Sequence, residues 1–258
     1  MNRMRSVSTG VGPRSTPARR GRRTATGPLW IFDLDNTLHD ARDRILPHID
    51  RSMTRYIEEH LGVAREHAEG LRRGYWKRYG ATLLGLVRHH AVDPGHFLAR
   101  THDLAELEGA VVAHGALAQV LRRLPGRKVV FTNGPAAYAR WVLDRLGVLV
   151  HLDALYAIEH VALKPKPAAS AFRAVLAAER SWCGPRIMVE DTLANLHTAR
   201  RLGLRTVWIS TTAHTPSWVD CRITAITDLM RVWPALVVPR SGSSVPPTSS
   251  LRHVRSLR

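Results

Sequence analysis

Only two of the 258 residues are cysteine, Cys183 and Cys221, and they lack the paired spacing of a zinc or dithiol site. That excludes a disulfide-stapled scaffold and leaves a reduced, cytoplasmic protein as the expectation. No long uncharged apolar run occurs anywhere, so no membrane span is expected. Nor does an apolar stretch near the start suggest a secretory signal. Acidic residues are missing from both ends: residues 1–27 carry seven Arg and no Asp or Glu, and residues 239–258 carry four Arg and none. Neither tail contains an aromatic residue among its basic ones, so the stacking surface of a single-strand binder is lacking. Charge alone would favour polyanions, but specific nucleic-acid binding is not expected.

Of the formal charge of +17, the tails account for eleven, leaving +6 between them. Both tails are rich in Ser, Pro, Gly and Thr and poor in large apolar residues, so disorder is expected over 1–27 and 236–258. The Arg-rich leader is similar in composition to a mitochondrial transit segment, and equally to an over-extended start; both readings stay open. The remaining length suffices for a sizeable core.

Hydrophobic patterning divides that core. An apolar strand is expected at residues 29–34. Then Ile45, Ile49, Met53, Ile57 and Leu61 recur every four positions, an amphipathic helix ending at Gly62. Residues 65–79 and 103–124 also read as helices, with Asp93-Pro94-Gly95 as a turn between them. From Lys128 the alternation changes. Strands are expected at Lys128–Thr132, Ala154–Ile158, Arg186–Glu190 and Thr206–Ile209. Helices are expected from Pro135 to Leu146, from Pro167 onward, and up to Gly203. Repeated strand–helix units imply a doubly wound, Rossmann-like α/β fold with a parallel sheet. The expected division is a core of 28–43 and 125–235 with a helical cap, 44–124, inserted between strands one and two.

Three strand ends carry polar residues suited to one shared phosphate site. Asp33 and Asp35 follow the first strand, Thr132-Asn133-Gly134 closes the second, and Glu190-Asp191-Thr192 closes the strand at 186–190. Between them lies Lys164-Pro165-Lys166-Pro167. Ligands of open α/β sheets bind at the carboxyl ends of strands. Acids that would repel one another there become compatible around Mg²⁺, which takes a few carboxylates together with water and phosphate oxygens. Each piece alone has a plainer explanation: a capping Asp33 and a solvated Asp35, a turn at 132–134, a solvated lysine loop, a helix cap at 190–191. Their coincidence at successive strand ends carries the signal.

In these stretches the chain resembles the haloacid dehalogenase superfamily of phosphohydrolases. The matching residues are Phe32-Asp33-Leu34-Asp35-Asn36-Thr37-Leu38, Val130-Phe131-Thr132-Asn133-Gly134, Lys164-Pro165-Lys166-Pro167 with Phe172, and Val189-Glu190-Asp191-Thr192 with Asn195-Leu196, over about residues 29–230. Within it the chain looks most like the pyrimidine 5′-nucleotidase branch, on Tyr79-Gly80-Ala81-Thr82-Leu83-Leu84-Gly85-Leu86, Val92-Asp93-Pro94-Gly95-His96-Phe97 and Thr206-Val207-Trp208-Ile209. The resemblance implies that Asp33 attacks phosphorus and Asp35 is the acid and then the base. It also implies that Thr132 and Lys166 hold phosphoryl oxygens and that Asn133 and Gly134 shape the pocket. Mg²⁺ would be held by Asp33, Asp191 and Glu190 and by the Asp35 backbone carbonyl. Lys166 is preferred to Lys164 because it stands six residues before Phe172. Asp35 argues against a dehalogenase, whose leaving group needs no proton.

The implied substrate is a small phosphate ester, preferably a pyrimidine nucleoside 5′-monophosphate, with Tyr79 and Thr82 of the cap as substrate-binding residues. A phosphatase of phosphoglycolate or a sugar phosphate is the first rival, and a nucleic-acid-binding protein with a phosphatase-like core the second. Tyr75, Trp76 and Tyr79 either stack on a base or pack the cap helices, Tyr79 being the first choice for stacking. His89, His90, His96 and His102 fit no zinc spacing and are expected to be solvated. Trp30, Trp141 and Trp208 are expected in the core. Oligomeric state is not legible.

Overall fold

A computed structural model describes residues 27–238 apart from 114 and 181. The first apolar run forms β1 (Leu29–Phe32), buried on both faces. It is flanked by β2 (Arg127–Phe131) and β4 (Arg186–Glu190), and the sheet is completed by β3 (Ala154–Tyr156), β5 (Arg205–Ile209) and β6 (Cys221–Ile223). The order is β3-β2-β1-β4-β5-β6 and every pairing is parallel. This is the expected doubly wound α/β sheet. Because side chains alternate along a strand, Trp30 and Phe32 join one apolar cluster while Leu29 and Ile31 join the other, so a core lies on each side of the sheet.

The chain builds outward from β1 to β2 and β3, then crosses to β4 on the opposite side. That reversal opens a crevice between the carboxyl ends of β1 and β4. Register aligns its walls: Phe32 is level with Val130 of β2 and with Val189 of β4. The next residues, Asp33 just past β1 and Glu190 at the last position of β4, therefore stand side by side.

Between β1 and β2 run α1 (Ile45–Leu61), α2 (Arg65–Tyr79), α3 (Thr82–His90), α4 (Pro94–Thr101) and α5 (Gly115–Arg123). The four-residue repeat of α1 is realised, and Gly62 closes it with φ 64°, a left-handed cap that lets its N–H bond to Glu58 O. α1 packs on α2 and α4, and α2 on α3. Two expectations need correction. Asp93-Pro94-Gly95 is a helix start: Asp93 Oδ1 accepts the His96 amide at 2.6 Å and Pro94 takes the first turn. Residues 103–113 are not helical, because Asp103 Oδ1 accepts the Ala105 amide at 3.0 Å and Gly109 turns the chain with φ 73°.

After β2 come α6 (Ala136–Arg145), α7 (Ala169–Ala178), α8 (Leu193–Arg201) and α9 (Leu229–Val237). α7 begins two residues beyond Pro167, which belongs instead to the loop carrying Lys166. The tail boundary at 236 is corrected too: Leu236 is buried, and Arg205 donates to the carbonyl oxygens of Ala235, Leu236 and Val238 at the end of α9. The disorder expected for residues 1–26 and 239–258 falls outside the described residues. Trp30 is fully buried, whereas Trp141 is only half-buried, with the Arg145 guanidinium 4.3 Å from its ring centre. Among the described residues, no helix is long and apolar enough to cross a membrane.

Candidate functional site

Asp33 is the first residue past β1, and its N–H still bonds to Val189 O of β4 at 3.0 Å, which fixes its direction into the crevice. Its carboxylate receives the Lys166 ammonium at 2.6 Å and the Thr37 hydroxyl at 3.3 Å. Asp35 stands in the following turn, where Asn36 adopts φ 61°. Its Oδ1 accepts the Tyr138 hydroxyl at 2.5 Å and lies 3.0 Å from His39 Nε2.

At the end of β2, Thr132 is buried and its Oγ1 accepts the Gly134 amide at 2.9 Å. Asn133 spends its side chain on the lysine loop: Nδ2 donates to Lys166 O at 3.1 Å and Oδ1 accepts the Lys166 N–H at 2.7 Å. That two-way clamp aims Lys166 inward. A Cβ on Gly134 would stand 3.0 Å from the Tyr138 ring, a tight contact against the side chain that reaches Asp35.

Lys166 is 3% exposed and bonds to Asp33, to Glu190 Oε2 at 2.8 Å and to Phe131 O at 2.8 Å. Lys164 is exposed and takes no part. Glu190 is buried, with Oε1 accepting the Thr192 amide at 3.2 Å. Asp191 follows, its carbonyl held by the Trp208 indole N–H at 2.8 Å. Carboxylate oxygens of Asp33, Glu190 and Asp191 lie within 4.8 Å of one another. The Asp35 carboxylate is outside that group, engaged by Tyr138 and His39.

The electrostatics are unbalanced. Burial first, and then neighbouring carboxylates, raise the Asp33 and Glu190 carboxyls above their ordinary range, with Lys166 pulling the other way. Burial opposes the Lys166 ammonium, but Asp33 and Glu190 outweigh it and raise its pKa. Two of these carboxylates thus share one buried cation, and the third, Asp191, lies beside them with no cation paired to it among the described residues. A second positive charge would relieve them, and an all-oxygen donor set suits a hard divalent ion such as Mg²⁺. The residues present fit that ion.

A cavity of about 490 Å³ opens beside the crevice. Asp35, Asn133, Gly134 and Tyr138 form its sheet-side wall, while Met53 of α1 and Trp76 of α2 face them. Thr82 reaches the wall, although its hydroxyl is committed to Arg72 O at 3.0 Å. Tyr79 is not brought to the cavity. Its hydroxyl pairs with His89 Nε2 at 2.7 Å, and Arg78 and Arg88 flank its ring. Trp76, three residues earlier and 66% exposed, takes the place expected for Tyr79.

His89 and His96 are exposed, as expected, and each histidine also meets a tyrosine: His89 with Tyr79, His90 with Tyr75, His96 with Tyr56. His102 lies in the cavity wall against the Tyr138 ring, 5.5 Å between centres. Burial pulls its pKa from 6.5 down to about 4, only partly countered by Asp35. Between those two values the unfolded chain binds a proton that the folded one refuses, so stability falls as pH drops through this window. The expected penalty at its lower end is up to about 3 kcal/mol. His102→Phe should flatten that slope, measured by urea unfolding at pH 7 and pH 4.5; equal slopes would reject the assignment.

Tyr138 and His39 are site residues that sequence reasoning missed. His39 comes back to Asp35 across the turn at 36–38, and Tyr138 stands on the first turn of α6.

The haloacid dehalogenase-like hydrolase model matches residues 29–203. Validoxylamine A 7′-phosphate phosphatase of Streptomyces hygroscopicus subsp. limoneus is 30% identical over 215 residues, 79% of this chain and 95% of that protein. Phosphate metabolism protein 8 of Saccharomyces cerevisiae is 28% identical over 65 residues, spanning 25% of this chain and only 20% of that one. Among solved structures, a phosphatase of the same superfamily from Thermococcus onnurineus superposes with a TM-score of 0.55 at 21% identity, covering 82% of this chain and 100% of that one. A 2-haloacid dehalogenase from Pseudomonas syringae pv. Tomato DC3000 gives 0.54 at 20%, covering 81% and 98%. At such identities the structures share the fold. With the family match covering most of the chain and the strand-end acids gathered in one crevice, the chain belongs to the haloacid dehalogenase-like hydrolases.

Proposed function

We propose that the protein is a Mg²⁺-dependent phosphomonoesterase whose preferred substrate is a pyrimidine nucleoside 5′-monophosphate. The observation that carries this reading is the meeting of the Asp33, Glu190 and Asp191 carboxylates at the β1/β4 crevice, with Lys166 paired to the first two. Asp33 attacks phosphorus, and the bond to the leaving oxygen breaks while Asp35 gives that oxygen a proton. Asp35 then takes a proton from water as the water attacks the aspartyl-phosphate, releasing phosphate and restoring Asp33. Thr132 and Lys166 hold phosphoryl oxygens. Asp33, Asp191 and Glu190 would hold Mg²⁺, which supplies positive charge against those oxygens. A halide leaves without a proton, so Asp35 at the cavity favours ester hydrolysis over dehalogenation.

The 44–124 segment acts as a cap whose opening admits substrate. Trp76 supplies the aromatic face for a pyrimidine ring. Trp76→Ala is expected to raise KM for UMP by about 10-fold or more, from lost base stacking, with little change in kcat or melting temperature; an unchanged KM would remove Trp76 from the substrate site.

The Streptomyces relative, named for validoxylamine A 7′-phosphate, favours a second reading in which the ester is not a nucleotide, and the sugar phosphates are the class to test. Phosphate release from UMP, CMP, phosphoglycolate and hexose phosphates, with and without EDTA, separates the two. UMP and CMP should turn over fastest, EDTA should silence the activity and Mg²⁺ restore it. Hydrolysis of hexose phosphates alone would leave the phosphatase but refute the nucleotidase. Release of halide from a 2-haloacid, with every phosphate ester untouched, would refute both.

A further inference from the structure

We infer that Tyr138, with His39, is the positioning residue pair that holds the Asp35 carboxylate in its working orientation. The inference rests on the acid–base role of Asp35 proposed above. Both partners meet the same oxygen: Tyr138 donates to Oδ1 at 2.5 Å, and His39 Nε2 stands 3.0 Å from it. An oxygen of the carboxylate accepts, so Nε2 is the ring nitrogen that donates to Asp35, while His39 Nδ1 is buried and has no partner among the described residues. Oδ2 has no hydrogen bond among the described residues, and Asp35 lines the cavity. One oxygen is thus held from behind, and the other is left to exchange a proton with the leaving oxygen and then with water.

The holding group is itself fixed. Tyr138 is 1% exposed, its ring lies close to Gly134, where a Cβ would come within 3.0 Å, and His102 at the end of α4 also packs on the ring. Asp35 needs such support, because Asp33 two residues before it belongs to the carboxylate group that would repel it. Two donors on one oxygen offset that repulsion and restrict rotation of the side chain. The inserted helices reach this device through His102, so the part of the chain that faces substrate touches the residue that steadies the acid.

A purely structural tyrosine and a positioning one give different kinetics. With an alkyl phosphate from the panel above (UMP, or the hexose phosphate if that is hydrolysed), Tyr138→Phe is expected to lower kcat about 10- to 100-fold with KM nearly unchanged. With p-nitrophenyl phosphate, whose leaving group departs without a proton, the burst of nitrophenolate should keep its rate while the following steady rate falls. His39→Leu should share the pattern and His39→Gln, which keeps a donor, should recover much of it; these variants carry the test if Tyr138→Phe does not fold. Unchanged alkyl phosphate turnover in folded Tyr138→Phe and His39→Leu, or a burst slowed as much as the alkyl phosphate reaction, would overturn the inference. Asp35→Asn separates the two levels. If it is silent while Tyr138→Phe is not, only the positioning role fails; if it is active, the acid–base reading fails first.

Discussion

Asp33→Asn is expected to lower phosphate release by on the order of 10⁴-fold or more while leaving the fold in place. The amide keeps the shape of the carboxylate and loses the oxygen proposed as the nucleophile. Stability should change by no more than about 1 kcal/mol, for reasons specific to this crevice. Asp33 is buried among acids, and that environment raises its carboxyl above the ordinary range. Removing its charge reduces repulsion with Glu190 and Asp191. Lys166 keeps a partner, because Glu190 Oε2 remains at 2.8 Å. The two effects oppose each other. A phosphate-release assay beside a thermal melt reads both, and transfer of labelled phosphate from substrate to the chain should vanish with the activity. A variant that still turns over would move the nucleophile elsewhere, and one that unfolds would mean Asp33 is chiefly a core ion-pair partner.

Those acids were legible before any coordinates because each sits where an apolar run ends. Phe32, Val130 and Val189 pair in register across three strands, so polar residues just beyond them had to emerge at one edge. The same logic marks what was hidden. β6 is only Cys221–Ile223, too short to show alternation, and it pairs with β5 through Val207 and Ile209. α3 has apolar residues on much of its length and no side-chain cap, so neither period nor punctuation announces it. The Asp93-Pro94-Gly95 triplet is equally good chemistry for a turn and for a helix start, and the local residues do not choose between them.

The site divides in the same way. Residues that act through a motif were visible, whereas those that act through contact were not. Tyr138 reaches Asp35 across 103 positions, and nothing near either residue in the chain signals the pairing. Trp76 and Tyr79 lie on one helix three residues apart, yet the packing of α2 on α3 gives Tyr79 to His89 and leaves Trp76 to the cavity. His102 looked solvated because its neighbours in the chain are polar; its burial comes from Tyr138 of a different element.

Lys166→Met tests the balance of the cluster most severely. The substitution leaves Asp33 and Glu190, 6% and 1% exposed, facing each other without a cation, a loss of about 3–5 kcal/mol for a broken buried pair. For a domain of this size that lowers the melting temperature by roughly 10 °C. Activity should fall with it, since the same ammonium is the proposed phosphoryl ligand. The pH dependence has a definite sign. Without Lys166 the folded carboxyls rise further above the 3.8 and 4.5 of the unfolded chain, so the folded state binds extra protons and loses stability as pH rises through that interval. The deficit relative to the parent should be full at neutral pH and shrink towards pH 4. Added Mg²⁺ should recover part of it at neutral pH by supplying the missing charge, a stability readout independent of turnover. Lys164→Ala, at an exposed position, should change neither stability nor rate measurably. The reverse order of the two variants would mean that Lys164, and not the lysine clamped by Asn133, serves the phosphate.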